Sequence, residues 1–177
     1  MKIEYTIEEQ DFIDFQLFTS SKSEQVKRSR KRSWVILLVL FIFLSANTYF
    51  KGETNSAIYF AMFGTLILAF YPKFLNWKYK RYYQKFVRTN YANRFGQLET
   101  LEITPEFILS KDSVSEGKVN ISEIENISET QNHFFLKVST GVSLIIPKHR
   151  IENSEYLKKE FENLNVSIID ETDWSWS

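Results

Sequence analysis

Cysteine is absent from the 177 residues. That excludes a disulfide framework, thiol catalysis and any cysteine-ligated metal site. Glycine occurs five times and proline three times, and neither a phosphate-cradling Gly-rich loop nor a G-x-S-x-G elbow is present. The two histidines, His133 and His149, lie outside the H-x-x-x-H or H-E-x-x-H spacing that a zinc site would need. His133 closes the polar run Thr130-Gln-Asn-His133 ahead of a strand and reads as a surface-turn residue. His149, in Lys148-His149-Arg150, reads as a solvated basic tip, with phosphate or headgroup contact as the alternative. Carboxylates are numerous after residue 95, but they fall on the polar phase of strands and helices and form no acid–base pair. No catalytic residue, cofactor or metal is therefore expected.

Net charge is zero, yet the charges are segregated. Residues 1–21 carry five acids and one lysine, and residues 22–32 carry six basic residues against Glu24. Residues 73–94 carry seven basic residues and no acid, and residues 95–177 carry 15 acids against seven basic residues. Two basic blocks thus sit between acidic flanks, and the apolar part of the chain lies between the blocks. Such asymmetry points to a membrane or nucleic-acid surface.

The first apolar run, Trp34–Phe50, is uncharged over 17 residues, 11 of them Leu, Ile, Val or Phe. As a helix it would be about 25 Å long, near the short end for a bilayer core of about 30 Å. The second, Ser56–Tyr71, is also uncharged but has seven such residues and includes Gly64 and Thr65. The basic blocks lie outside the pair, and the link Lys51–Ser56 is short and nearly neutral. Positive residues are retained on the cytoplasmic side, so the pattern predicts a two-span hairpin in the cell membrane with both termini cytoplasmic. Trp34, Tyr49, Tyr59, Tyr71 and Trp77 mark the span ends as interfacial aromatics. Ala57, Ala61 and Gly64 share a helical face that would admit a neighbouring helix closely. Three readings compete. A cleaved signal peptide is disfavoured by residues 1–32, which come first with their six acids, and by the second apolar run. A buried soluble hairpin is disfavoured by the paired basic flanks and aromatic bookends. A re-entrant hairpin is the reading that the shortness of both runs would suit.

Ahead of the hairpin, residues 1–33 read as a strand, Ile3–Ile7, then a helix opened by a capping box, Thr6-x-x-Glu9. Residues 72–96 alternate basic and aromatic side chains and read as a juxtamembrane helix, which Pro72 can bend or end. Arg28, Arg30, Lys31, Arg32, Lys73, Lys78, Lys80 and Arg81 are the candidate lipid-headgroup contacts. Nucleic acid could use the same composition, but an adjacent span favours lipid. Residues 97–166 show period-two alternation at Leu101/Ile103, Phe107/Leu109, Val119/Ile121, Phe134/Leu136/Val138 and Val142/Leu144/Ile146. Lys111–Gly117 reads as a hairpin loop, and Ile124 with Ile127 as a helical turn or bent strand. Asn153 or Ser154 then caps a helix bearing Leu157, Phe161 and Leu164. The expected fold is an α+β membrane protein: a transmembrane helical hairpin (34–50, 56–71) and a small antiparallel sheet or partial pleckstrin-homology-like barrel closed by a C-terminal helix. A strand of that barrel is either missing or supplied by the N-terminal segment. Residues 167–177 read as a frayed tail whose tryptophans could dock on a partner or the membrane.

Three segments carry a resemblance. Tyr5-x-x-Glu8-x-x-Asp11-Phe12-x-x-Phe15-Gln16, Tyr71-Pro72-Lys73-Phe74-Leu75 and Leu144-Ile145-Ile146-Pro147-Lys148, in that order, resemble the YcxB-like proteins of bacteria over about residues 3–164. Ile121 and His149 depart from that pattern, where an aromatic and an arginine would be expected. The resemblance implies a membrane hairpin with a pleckstrin-homology-like domain and brings no known reaction. The expected role is a membrane-anchored interaction or scaffold protein without catalytic activity. Its partners would be the lipid bilayer and a protein or a second copy of the chain, with no nucleic acid and no small-molecule substrate. The alternative is a sensor or regulator of membrane lipid or envelope state acting through the basic juxtamembrane region.

Overall fold

A computed structural model describes residues 1–112 and 115–176. Two compact units emerge: Met1–Gln16 with Gln84–Ser175, and Leu17–Tyr83 with Trp176. The element order is β1 (Lys2–Thr6), α1 (Glu9–Lys22), α2 (Glu24–Phe50), α3 (Thr54–Tyr91), β2 (Leu98–Ile103), β3 (Phe107–Lys111), β4 (Glu116–Asn120), β5 (Ile124–Thr130), β6 (His133–Val138), β7 (Ser143–Pro147), α4 (Ser154–Asn163) and β8 (Ile168–Glu171).

The first unit holds two four-stranded sheets, ordered β1-β2-β3-β4 and β7-β6-β5-β8. All pairs are antiparallel except β5–β8, which is parallel. The N-terminal strand does join a sheet, with Tyr5 opposite Glu99 on β2. The sheets do not close into a barrel, which corrects that part of the expectation. β4 ends one sheet, and β7 and β8 end the other. β4 itself begins within the polar stretch expected to be a loop; residues 113 and 114 of that stretch lie outside the described residues. β8 also corrects the frayed tail. Ile168 and Ile169 pair beside Ile127 and Ser128, a partner about 40 residues upstream that local patterning cannot reveal.

β5 and β6 are interior strands, hydrogen-bonded along both edges, and over much of their length both faces are covered as well. β6 shows this best, with every residue from His133 to Leu136 buried. Strand parity sends His133 and Phe135 to one face and Phe134 and Leu136 to the other. The first pair meets α1, where Phe15 and Phe135 lie 5.4 Å apart between ring centres. The second face meets α4, where Phe134 and Phe161 make an edge-to-face contact at 5.5 Å. On α4, Asn153 is the N-cap, accepting from the Tyr156 N–H at 2.8 Å, and Leu157 and Phe161 supply the buried stripe. The ambiguous Ile124/Ile127 spacing comes from a short 3₁₀ turn, Ile121–Glu123, followed by a register shift at Ile124/Asn126 in β5.

The second unit is built on α2 and α3, both long and apolar enough to cross a membrane. They are joined at Lys51–Glu53, where Gly52 takes φ +82° and the Glu53 N–H reaches back to the Thr48 carbonyl. Asn55, expected in the turn, already lies in α3. Gly64 is a point of close approach of the two helices: a Cβ there would stand 2.6 Å from the Phe41 ring. Ala57 is buried, and its carbonyl accepts from Ser45 Oγ at 3.0 Å. Of the small-residue face of the second run, Ala57 and Gly64 therefore receive the first helix, whereas Ala61 is exposed.

Pro72 neither ends α3 nor separates a distinct juxtamembrane helix; α3 runs through it to Tyr91. Proline has no N–H, so the carbonyl four residues earlier, at Leu68, loses its helical donor. The Trp34 indole Nε1 donates to that carbonyl from α2 at 3.3 Å. A residue expected as an interfacial anchor thus satisfies the defect that the proline creates.

Candidate functional site: a cationic collar and two buried ionic clusters

The basic blocks flanking the apolar runs are brought level by one side-chain bond. Arg30, on the α2 side that faces α3, donates through Nη2 to Asn76 Oδ1 at 2.5 Å. The C-terminal tryptophan seats on the same spot. Trp176 Nε1 donates to the Asn76 carbonyl at 3.1 Å, the Arg30 guanidinium lies 5.5 Å from its ring, and Tyr79 meets it edge-on at 6.1 Å. Of the predicted headgroup residues, Arg30 is half-buried in this contact. Arg28, Lys31, Arg32, Lys73, Lys78, Lys80 and Arg81 are exposed. Arg81 lies over the Trp77 ring at 5.0 Å. Beyond this level, toward the α2–α3 turn, an open apolar groove of about 570 Å³ runs between the helices, lined by Phe41, Ala46, Tyr49, Ala57 and Ala61 among others.

The first unit contains ionic clusters that the sequence did not announce. His133 is not a surface-turn residue: it is 3% exposed and already belongs to β6, because the turn consists of Gln131 and Asn132 alone. Its Nε2 lies 2.9 Å from Asp11 Oδ1, and its ring stacks on Phe135. Asp11 Oδ2 accepts from the Glu8 N–H at 2.7 Å, so the helix-opening bond runs from Asp11 back to Glu8 rather than between Thr6 and Glu9. Arg150 adds Nη1 at 3.5 Å from Asp11, and donates to the Thr6 carbonyl at 3.1 Å. Burial alone would raise the Asp11 pKa. The His133 hydrogen bond, then the Glu8 N–H and the His133 and Arg150 charges, outweigh it and hold the carboxyl below its ordinary range. His149 sits beside this group, edge-on to His133 at 6.4 Å and accepting from Arg150 Nε, which is a structural placement.

Glu129, on β5, is the second cluster. It receives Lys148 at 2.6 Å and Lys158 of α4 at 2.8 Å. Burial would raise its pKa, but the two lysine hydrogen bonds prevail and lower it. Glu99 behaves oppositely. Burial pushes it up against the pull of Arg94 at 3.4 Å, with Asp112 sharing that arginine at 2.9 Å and adding to the rise. Beside it, burial and then the Glu99 charge hold the Tyr5 phenol well above its usual value. Asp11, Glu99 and Glu129 are buried, and each is matched to a cation on a neighbouring element. Their chemistry is that of fasteners: Asp11 joins α1 to β6, and Glu129 joins β5 to α4. No group of three or more His, Asp or Glu among the described residues is arranged to hold a metal.

A family model described as YcxB-like protein matches residues 103–164, from the end of β2 to the end of α4. Over that stretch, which is less than half of the chain, the sequence is similar to YcxB-like proteins. Of the three resembling motifs, Leu144–Lys148 lies inside the YcxB-like stretch and forms β7 with its exit. Tyr5–Gln16 and Tyr71–Leu75 lie outside it. No curated protein and no solved structure matches the chain.

Proposed function

We propose that this protein is a membrane-anchored interaction module. In this reading α2 and α3 cross the bilayer as a hairpin, both chain ends lie on the cytoplasmic side, and the YcxB-like domain is presented there without catalytic work of its own. The observation that carries the reading is the apolar surface of α2 and α3. Ile42 and Phe43 on one, and Met62, Phe63 and Leu66 on the other, are each more than half exposed. Surface of that kind is unfavourable in water and at home in lipid. The basic blocks on the outer flanks and the near-neutral turn at Lys51–Glu53 support the orientation.

Seven antiparallel strands in two sheets, β1 to β7, followed by α4, support a pleckstrin-homology-like origin for the domain, opened rather than closed into a barrel. The open edge of β4 is the place for a protein partner to add a strand.

The absence of cysteine makes the test direct. Single variants Glu53→Cys and Asn163→Cys would be challenged in intact cells with a membrane-impermeant maleimide. Residue 53 is expected to label at once and residue 163 only after permeabilisation, with the chain resisting carbonate extraction. Extraction into the soluble fraction, or the reverse labelling, overturns the anchored reading. A photo-crosslinking residue in place of Lys118 on β4 is expected to give a discrete adduct in intact membranes; no adduct there overturns the choice of edge.

A further inference from the structure

We propose that the two basic blocks form a single collar that binds the anionic phospholipids of one leaflet, built jointly by α2 and α3. This rests on the membrane-anchored reading and adds to it a partner and a set of residues. Sequence alone places the blocks about 40 residues apart; the structure places them at one level of the helix pair. The Arg30–Asn76 bond and the Trp176 indole on the Asn76 carbonyl fix that level. Trp34 on the Leu68 carbonyl marks where the apolar section begins. Immediately outside it, Arg28, Lys31 and Arg32 on α2 and Lys73, Lys78 and Lys80 on α3 are exposed.

The charge along the two helices is one-sided. Between Gln25 and Leu98 the sequence contains a single acid, Glu53, which lies in the turn at the far end of the helices. Glu24 is engaged by Lys27 at 3.0 Å. Among the described residues no carboxylate pairs with any of the six cations. Long cationic stems beside interfacial tryptophans suit phosphate-bearing headgroups, with the ring in the interface and the charge above it. A duplex nucleic acid could meet cations too, but it would have to reach charges standing directly at the edge of an apolar span, so the lipid leaflet is the matched partner. Each well-placed cation near an anionic leaflet favours association by on the order of fivefold.

The full chain would be reconstituted in phosphatidylcholine bilayers carrying a minor fraction of brominated lipid, either phosphatidylglycerol or phosphatidylcholine. Quenching of the tryptophan fluorescence reports which lipid gathers at the collar. Brominated phosphatidylglycerol is expected to quench roughly threefold more than its zwitterionic counterpart. The triple variants Arg28→Gln/Lys31→Gln/Arg32→Gln and Lys73→Gln/Lys78→Gln/Lys80→Gln should each reduce that excess, and the six together should abolish it. Lys51→Gln, at the other end of the hairpin, should leave it intact.

Equal quenching by the two lipids overturns the proposal, as does an excess that depends on only one of the two triplets. Relief of the excess by millimolar glycerol phosphate would show a small-anion site, and relief by a short DNA duplex a nucleic-acid surface; either overturns the leaflet assignment. Labelling of Glu53→Cys in the same vesicles distinguishes these failures from failure of the anchoring itself, since a chain outside the bilayer would lose its sidedness.

Discussion

Removing the Asp11 carboxylate should loosen the first unit by a calculable amount. Asp11 and His133 are 2% and 3% exposed, and they face each other at 2.9 Å. In Asp11→Ala the Glu8 N–H loses its side-chain acceptor, worth about 1 kcal/mol at a helix start. His133 Nε2 is left buried without its partner, which costs about 1–3 kcal/mol. Arg150 adds little, because it keeps the Thr6 carbonyl at 3.1 Å and is a quarter exposed. The sum is about 2–4 kcal/mol, below what a wholly uncompensated buried ion would cost. Amide exchange at Phe134, Phe135 and Leu136, read on the full chain in detergent, should accelerate by about two orders of magnitude. Asp11→Asn, which keeps the shape and one acceptor, should fall between wild type and alanine. In a cycle with His133→Gln, the double variant should lose clearly less than the sum of the singles. Additive losses, or exchange in Asp11→Ala within threefold of wild type, would refute the assignment of this pair as the fastener of α1.

The pH dependence has a definite sign. Asp11 and Glu129 are held below their ordinary pKa values, so the stability they contribute is complete above about pH 4 and is lost as pH falls further. Glu99 is raised, so its contribution is greatest when protonated and declines as pH rises. Glu99→Gln should therefore cost little or stabilise at neutral pH, whereas Glu129→Gln should destabilise; exchange protection in β2 and β5 decides between them. Gly64→Ala would drive a methyl into Phe41 and cost about 1–3 kcal/mol of helix association, measurable by unfolding in detergent and relieved in part by Phe41→Leu. Trp34→Phe should speed amide exchange around Leu68–Asn76, and the added change Pro72→Ala, which restores the missing N–H, should cancel most of that effect. Trp176→Ala should free the C-terminal tryptophan's contacts with Arg30 and Tyr79 and raise the exposure of Asn76, seen as faster proteolysis near the chain end.

Both apolar runs were legible because hydropathy is a local property, and the charge blocks around them follow from composition alone. The strands of β6, β7 and most of β2 and β3 were legible from period two. β4 was legible only at its end: Val119/Ile121 pointed to a strand, but Glu116-Gly-Lys118 offers no apolar phase, the strand pairs with β3 at a sheet edge, and Ile121 already opens a 3₁₀ turn. β8 escaped because its partner is parallel and distant. The Asp11–His133 pair spans 122 residues, and a lone histidine at a polar turn gives no sign that the strand has already begun. For the collar, the residues were identifiable in sequence, but the bond that makes them one surface, Arg30 to Asn76, joins an arginine among many to an asparagine that nothing marks out.

The indole of Trp34 and the ring of Pro72 constrain each other's replacement. In relatives where a residue with an N–H stands in the proline's place, Leu68 would be served from within its own helix, and Phe or Tyr could take the tryptophan's position at little cost. Where the proline persists, only an indole or another side chain with a reaching donor meets the same need. The two sites should therefore change together over evolutionary time, although 38 positions separate them. A sequence-covariation signal between them would report the antiparallel register of the hairpin without any structure at all.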